Sequence, residues 1–189
     1  MKSHETFTTS SAPKLFPKLN IKVAITRQDL EDFYVRMEAK LYNFALRWLW
    51  NPKAAEDIVH DALIRIWERN DQVEKATLHS LTYKTIQNLA LNEIRKNKLR
   101  TTIPLLDWLM PAPSEDPLTD LSTRQELSEL KRQLDVLSVD LKETLLLCQY
   151  SDMSYSEIGN LLGIPEGTVA SRKNRALQIL KENFGEQNI

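Results

Sequence analysis

The stretch SYSEIGNLLGIPEGTVASRKNRA, from Ser154 to Ala176, decides the fold of the C-terminal part of this chain. Ser154 is followed three residues later by Glu157, a pair in which each side chain binds a backbone N–H that the start of a helix leaves unpaired. Gly163 allows the positive φ that commonly ends a helix, and Pro165 suits the first turn of the next one. The stretch therefore predicts two short helices joined by a tight turn, a helix-turn-helix.

The second of these helices has two unlike faces at about 100° per residue. Its apolar face consists of Val169, Ala176 and Leu180. The opposite face and its flanks carry Ala170, Ser171, Arg172, Lys173, Asn174 and Arg175. Short hydroxyl and amide side chains flanked by cations suit a helix in the major groove of DNA, where base edges offer donors and acceptors. DNA binding is favoured over an ordinary helical hairpin with a solvated polar face.

A proline-rich acidic segment divides the 189 residues of the chain. Residues 101–122 contain four prolines and four acidic residues, a composition that cannot hold a long helix. These 22 residues would reach about 70 Å when extended. The sequence predicts an all-α protein of two small helical domains, 26–100 and 123–189, joined by the linker 101–122. Residues 1–25 are predicted to form a flexible tail, with Phe7, Leu15, Phe16 and Leu19 as candidate docking points.

Three helices are predicted in the N-terminal domain, at about 27–49, 53–68 and 77–99. Asn51 and Pro52 mark the start of the second helix, as an N-cap residue followed by a proline at the first helical position. One half of that helix is apolar. The other half is an acidic ridge that carries Asp57, Asp61, Arg65 and Glu68. Ile64 lies in the middle of this ridge, and His60 and Trp67 lie at its edges. This mixture favours a protein-docking surface, and a merely solvated face is the alternative.

The third predicted helix carries a strip of amides and cations at helical spacing. The strip consists of Lys84, Asn88, Asn92 and Arg95, and Lys96 follows it. Amides read base edges and cations hold phosphates, so the strip is a candidate nucleic-acid contact.

Other function classes find little support in the sequence. The single cysteine, Cys148, lies in an apolar run and is interpreted as a packed side chain rather than a nucleophile. Glu56, Asp57, His60 and Asp61 resemble metal ligands on one helix, but a di-metal bundle needs a second such cluster. No glycine-rich phosphate loop occurs. We expect a non-catalytic protein without cofactor or metal. The chain has no signal-peptide pattern and no apolar run of bilayer length, so we also expect it to be cytoplasmic.

Three blocks of the sequence resemble a known family. They are LYNFALRWLWNPKAAEDIVHDALIRIWE (41–68), LTYKTIQNLALNEIRKNK (81–98) and LSVDLKETLLLCQYSDMSYSEIGNLLGIPEGTVASRKNRAL (137–177). In this order and spacing, the chain resembles a bacterial RNA polymerase sigma factor of the extracytoplasmic-function (ECF) group. The resemblance implies a region 2 before the linker and a region 4 after it. It also implies a function in promoter recognition, DNA melting and transcription initiation.

The resemblance assigns roles to individual positions. The contact with core polymerase, on the clamp helices of the beta-prime subunit, falls on Asp57, His60, Asp61, Leu63 and Trp67. Recognition and melting of the minus-10 element fall on Lys84, Asn88, Asn92, Arg95 and Lys96, with Asn88 holding a flipped base. Contacts with the minus-35 element fall on Thr168, Ser171, Arg172, Asn174 and Arg175.

The resemblance also names partners. They are core RNA polymerase, through its beta-prime clamp helices and beta flap, promoter DNA, and an anti-sigma factor as a candidate; neither a membrane nor a homo-oligomer is expected.

Four positions depart from the family pattern. Leu81 stands where a tryptophan is common, and His60 replaces a usual glutamine. Ala170 occupies a commonly basic position and Lys173 a commonly apolar one, so the minus-35 sequence preference does not follow from the family. The rival hypothesis is a stand-alone transcription regulator that binds operators without polymerase. A sigma mimic that sequesters an anti-sigma factor is a variant of it.

Overall fold

The computed structural model describes residues 24–102 and 121–184, and these two ranges fold into seven helices with no strand. The helices are α1 (Arg27–Leu49), α2 (Pro52–Trp67), α3 (Lys75–Thr102), α4 (Leu121–Asp135), α5 (Val139–Tyr150), α6 (Tyr155–Leu162) and α7 (Glu166–Phe184). The all-α prediction is confirmed. Helix α3 continues to Thr102 and α4 begins at Leu121, so helical structure extends into both ends of the predicted linker. The rest of the linker, and residues 1–23, lie outside the described ranges.

The described part of the chain begins with an anchored segment. Ile25, the last residue of the predicted flexible tail, is buried, and its N–H donates to the carbonyl of Val73 at 3.1 Å. Placing it in the tail was wrong, because its side chain joins the apolar core. Thr26 then caps α1 through a capping box with Asp29. The hydrogen bonds from Lys75 and Thr26 lower the pKa of Asp29 to about 2.

Helices α1, α2 and α3 pack around one apolar core. Helix α1 buries Phe33, Met37, Leu41 and Phe44, residues three or four apart that form one stripe of the helix. Helix α2 begins as predicted, with the Asn51 side chain accepting from the N–H of Ala54 at 2.9 Å. Its buried residues are Ala55, Ile58, Val59, Ala62 and Ile66.

The predicted helix-turn-helix is formed by α6 and α7. The hydroxyl of Ser154 accepts from the N–H of Glu157 at 3.2 Å, and the Glu157 carboxylate accepts from the N–H of Ser154 at 2.8 Å. Gly163 ends α6 with a φ of 67°, in the left-handed region. Pro165 lies just before α7, where its carbonyl accepts from the N–H of Thr168 at 2.8 Å.

Gly159 sets how closely the turn approaches α6. Its carbonyl accepts from the N–H of Ile164 at 2.9 Å. A Cβ atom added at Gly159 would lie 2.7 Å from the carbonyl oxygen of Ile164, a distance that real Cβ contacts do not reach. The turn therefore requires a glycine here, a requirement that the sequence reading missed.

The N-terminal and C-terminal helices are in contact, chiefly through α1 and α5. Tyr83 of α3 is fully buried, and its hydroxyl donates to the carbonyl of Tyr150. Lys142 of α5 is 8% exposed and lies 5.5 Å from the ring centres of both Trp48 and Trp50. Lys40 and Asp152 form an ion pair across the same contact. The two halves share one continuous cluster of buried residues.

Replacing Gly159 with alanine should destabilise the helix-turn-helix. The new methyl group meets backbone rather than a movable side chain, and such overpacking costs about 1–3 kcal/mol. Thermal or urea unfolding followed by circular dichroism measures the loss. Gly167→Ala is the matched control, because a Cβ at Gly167 has open space and alanine favours the helix there. Equal stability of the two variants would contradict the close approach.

Lys142 and Asp135 form a salt bridge in which the amine and a carboxylate oxygen are 3.2 Å apart. We therefore expect the effects of substitutions at the two residues on stability to be non-additive. Burial lowers the pKa of Lys142, so the charge depends on its carboxylate partner. Asp135→Ala should reduce the free energy of unfolding by about 1 kcal/mol, a modest loss because Asp135 is half-exposed. Adding Lys142→Met should recover most of that loss, because no charge is then left buried. Additive losses in a double-mutant cycle would contradict the pairing.

Candidate functional site

The side chains predicted to contact polymerase lie along α2. Asp57 and His60 are exposed, Asp61 and Leu63 are half-exposed, and Trp67 is 40% exposed. Ile64, between them, is 57% exposed. Large apolar side chains exposed beside acids are typical of a docking surface rather than of a solvated face. The five residues predicted to contact polymerase therefore form one accessible surface, called here the α2 ridge. They are Asp57, His60, Asp61, Leu63 and Trp67.

Among the described residues, the acids of the α2 ridge pair with neighbours on their own helix. Asp57 pairs with Lys53 at 3.1 Å, and Asp61 pairs with Arg65 at 3.1 Å. Exposed pairs of this spacing contribute little to stability, because water and salt screen them. A cationic partner can therefore take over either carboxylate at little cost.

A groove between α1 and α2, which the sequence reading missed, adjoins the ridge. Its volume is about 380 Å³, and it is lined by Tyr34, Glu38, Ala39, Tyr42, Glu56, Val59 and His60. The Tyr34 hydroxyl donates to Glu38 at 3.0 Å, and the Tyr34 and His60 rings lie 6.4 Å apart. The groove thus combines two tyrosines with two carboxylates.

The predicted minus-10 strip lies on α3 with its outer residues accessible. Asn88, Asn92, Arg95 and Lys96 are exposed. The Arg95 guanidinium donates to the Asn92 amide oxygen at 3.1 Å, and Lys96 pairs with Glu93 at 3.8 Å. Leu81, at the position where the family often has a tryptophan, is 37% exposed on the same helix.

Lys84 differs from the rest of the strip because it lies at the contact between the two halves. Its amine is 3.6 Å from a carboxylate oxygen of Glu143 on α5 and donates to Gln87 at 3.3 Å. Glu143 is mostly buried. A phosphate that bound Lys84 would therefore have to compete with Glu143.

The predicted minus-35 residues lie on α7, whose inner side buries Val169 and Ala176. Ser171, Asn174 and Arg175 are exposed, and Thr168 is half-exposed. The Ser171 hydroxyl donates to the carbonyl of Thr168 at 3.0 Å. The recognition face proposed from the sequence is thus open to a ligand.

Two cations of α7 contact other helices of the same half. Arg172 is bonded to Asp140 of α5 at 3.0 Å. The Lys173 amine donates to the Tyr155 hydroxyl of α6 at 2.9 Å and lies 5.4 Å from the ring centre. This contact explains how a lysine is accommodated at a position that is commonly apolar in the family.

Catalytic and metal chemistry gains no support within residues 24–102 and 121–184. No group of three or more His, Cys, Asp or Glu side chains in these ranges could hold a metal ion. Burial raises the pKa of the Cys148 thiol, which disfavours the reactive thiolate. None of the helices found there is long and apolar enough to cross a bilayer.

Two family models match the chain in order. The sigma-70 region 2 model matches residues 33–100, and the sigma-70 region 4 model matches residues 127–180. The ECF RNA polymerase sigma factor SigE of Mycolicibacterium smegmatis is 29% identical over 160 residues, which are 83% of this chain and 62% of that protein. The ECF sigma factor SigW of Bacillus subtilis is 29% identical over 173 residues, with 82% of this chain and 87% of that protein covered.

Two solved structures share the fold. CnrH, in complex with the cytosolic domain of CnrY, matches with a TM-score of 0.66 and 16% identity over 86% of this chain and 92% of that chain. The sigma factor RpoE from Bartonella quintana, in complex with the anti-sigma factor NepR, matches with a TM-score of 0.61 and 24% identity over 82% and 96%. Since matches to both sigma regions follow each other along this chain, it belongs to the sigma-70 family of RNA polymerase sigma factors, in the extracytoplasmic-function group.

Proposed function

We propose that this chain is an ECF-type sigma factor that binds core RNA polymerase and directs promoter recognition, DNA melting and transcription initiation. The observation that carries the proposal is the match of one chain, in order, to sigma-70 regions 2 and 4. The chain supplies no chemistry of its own in this proposal. The polymerase performs the reaction, in the cytoplasm, and the chain selects where it starts.

The α2 ridge is proposed to bind the clamp helices of the beta-prime subunit. The carboxylates of Asp57 and Asp61 pair with exposed cations of the same helix, Lys53 and Arg65. Leu63 and Trp67 add apolar area at the side of these charges. In such a surface the charges steer the encounter with the partner, and the apolar patch is buried once the complex forms.

The α3 strip is proposed to hold the melted minus-10 strand. Melting must be driven by the capture of unstacked bases, because unpairing and unstacking a base costs a few kcal/mol. The exposed amide of Asn88 offers both a donor and an acceptor to a flipped base. Asn92, Arg95 and Lys96 follow on the same helix and would track the phosphates.

Helix α7 is proposed to enter the major groove at the minus-35 element. Ser171, Asn174 and Arg175 are exposed and have side chains that reach base edges, while Thr168 and Arg172 would contact phosphates. Arg172 must exchange its bond to Asp140 for the phosphate. The beta flap of the polymerase and an anti-sigma factor are proposed as further partners of the chain.

A stand-alone regulator remains the alternative function, because α6 and α7 alone fit many DNA-binding proteins. It needs no polymerase contact on α2. The two functions therefore differ in what the acids of the α2 ridge do.

Reversing both acids, in Asp57→Lys with Asp61→Lys, should reduce affinity for core polymerase by at least about tenfold. The reason is the loss of two charge contacts and their replacement by repulsion, each worth about 1 kcal/mol or more. Fluorescence anisotropy of the labelled chain titrated with purified core measures it. The control variant, Glu31→Lys with Asp32→Lys, changes the charge equally at exposed α1 positions. Unchanged binding by the α2 variant would favour the stand-alone regulator.

Asn88→Ala should slow formation of the open complex about tenfold while core binding stays unchanged, because about 1–2 kcal/mol of base capture is lost. A fluorescent base analogue at the minus-10 element reports melting in the presence of core. Asn183→Ala removes an exposed amide outside the strip and serves as the control. Normal melting by the Asn88 variant would refute this role.

A further inference from the structure

The groove between α1 and α2 has no occupant among the described helices. Its lining combines aromatic rings, small apolar side chains and carboxylates. Tyr34 and Tyr42 line it together with Ala39 and Val59, and Glu38 and Glu56 add two carboxylates. None of its lining residues within the described ranges is a lysine or an arginine. A groove of this composition suits apolar side chains interspersed with cations, because the carboxylates pair with the cations and the tyrosine rings attract them.

The two carboxylates of the groove favour a cation there. Burial raises the pKa of Tyr34, and the hydrogen bond to Glu38 and the charges of Glu38 and Glu56 raise it further. Burial and the charge of Glu56 raise the pKa of Tyr42, while the charge of Arg47 opposes the change. Both phenols therefore stay neutral, and a cation beside the two carboxylates would be stabilised.

A segment of the same chain has the matching composition. Residues 13–23 read PKLFPKLNIKV, with lysines at 14, 18 and 22 and no acidic residue. Leu15, Phe16, Leu19 and Ile21 lie between or beside the lysines. This segment lies just before the described part of the chain.

The attachment point allows this segment to reach the groove. Ile25 is bonded to Val73, and Thr26 caps α1, so the path is fixed from these residues onward. Tyr34 and Tyr42 lie about 12 and 24 Å along the axis of α1 from Thr26, at 1.5 Å per residue. A chain of about 3.3 Å per residue brings Lys18 up to about 26 Å and Lys14 up to about 40 Å from Thr26.

We propose that residues 13–23 dock in the groove between α1 and α2 of their own chain, with the lysines paired to Glu38 and Glu56 and with Phe16 among the tyrosines. His60 lines this groove and belongs to the α2 ridge. Docking therefore covers one edge of the surface that the proposed function gives to polymerase. The segment and polymerase then compete, a consequence that rests on the proposed function, whereas the docking itself does not.

A photo-cross-linking amino acid at position 16 of the full chain tests the docking without any partner. The expected product is an intramolecular cross-link that mass spectrometry maps to residues 34–42 and 56–60. Replacing Lys14, Lys18 and Lys22 with glutamate should abolish it. Combining those changes with Glu38→Lys and Glu56→Lys should restore it, because the charge pairs re-form with reversed signs.

The control variant, Glu129→Lys with Glu182→Lys, makes the same change of charge at exposed positions of the C-terminal half. It should keep the cross-link when the three lysines are native, and it should not restore the cross-link when they are replaced with glutamate. Cross-links scattered over the surface would overturn the proposal. So would cross-links between two chains, which would assign the groove to a second copy. Restoration by the control charges instead of the groove charges would also overturn it.

Addition of core polymerase to the same sample separates the two proposals. Loss of the mapped cross-link on complex formation is expected from the competition. A cross-link that persists in a complex with polymerase would overturn the competition. A chain that cross-links as expected but never binds core would leave the docking established and defeat the proposed function.

Discussion

The burial of Tyr83 joins the two halves of the molecule. Its ring is fully buried and meets Phe44 edge-on, with ring centres 5.0 Å apart, while its hydroxyl reaches the carbonyl at the end of α5. One side chain of α3 thus packs in the N-terminal core and bonds to the helix that precedes the helix-turn-helix. The outward faces of α2, α3 and α7 are displayed on this shared core. Burial raises the pKa of the Tyr83 hydroxyl, so it remains a donor at neutral pH.

The contact between the halves also holds buried polar groups. Among residues 24–102 and 121–184, no hydrogen-bond partner is found for Arg47 Nη1, Trp48 Nε1 and Trp50 Nε1. Lys84, which belongs to the minus-10 strip, also lies at this contact. Its amine is 3.6 Å from a carboxylate oxygen of Glu143.

Features that depend on neighbours in sequence were predictable. The capping box at Ser154, the turn at Gly163 and the N-cap at Asn51 follow from local hydrogen-bonding rules, and all three are present. The burial of Val169 and Ala176 follows from helical periodicity. The capping box at Thr26 obeys the same rules as the one at Ser154, and its pattern was overlooked.

Features that depend on how segments of the chain pack against one another were not predictable. A glycine is tolerated within a helix, and the requirement for one at position 159 follows only from the turn, which places the carbonyl oxygen of Ile164 2.7 Å from a Cβ added at Gly159. Tyr34 and Glu56 form a groove only because α1 and α2 pack side by side. The outward placement of the α2 ridge followed from periodicity, while the roles of its residues rest on the family resemblance and stay predictions. Run-off transcription with purified core polymerase over a library of promoter fragments tests the central claim most directly. The account predicts discrete transcripts that appear only when the chain is added and that share a minus-10 and a minus-35 element. A chain that binds duplex DNA but yields no transcript with core would contradict it.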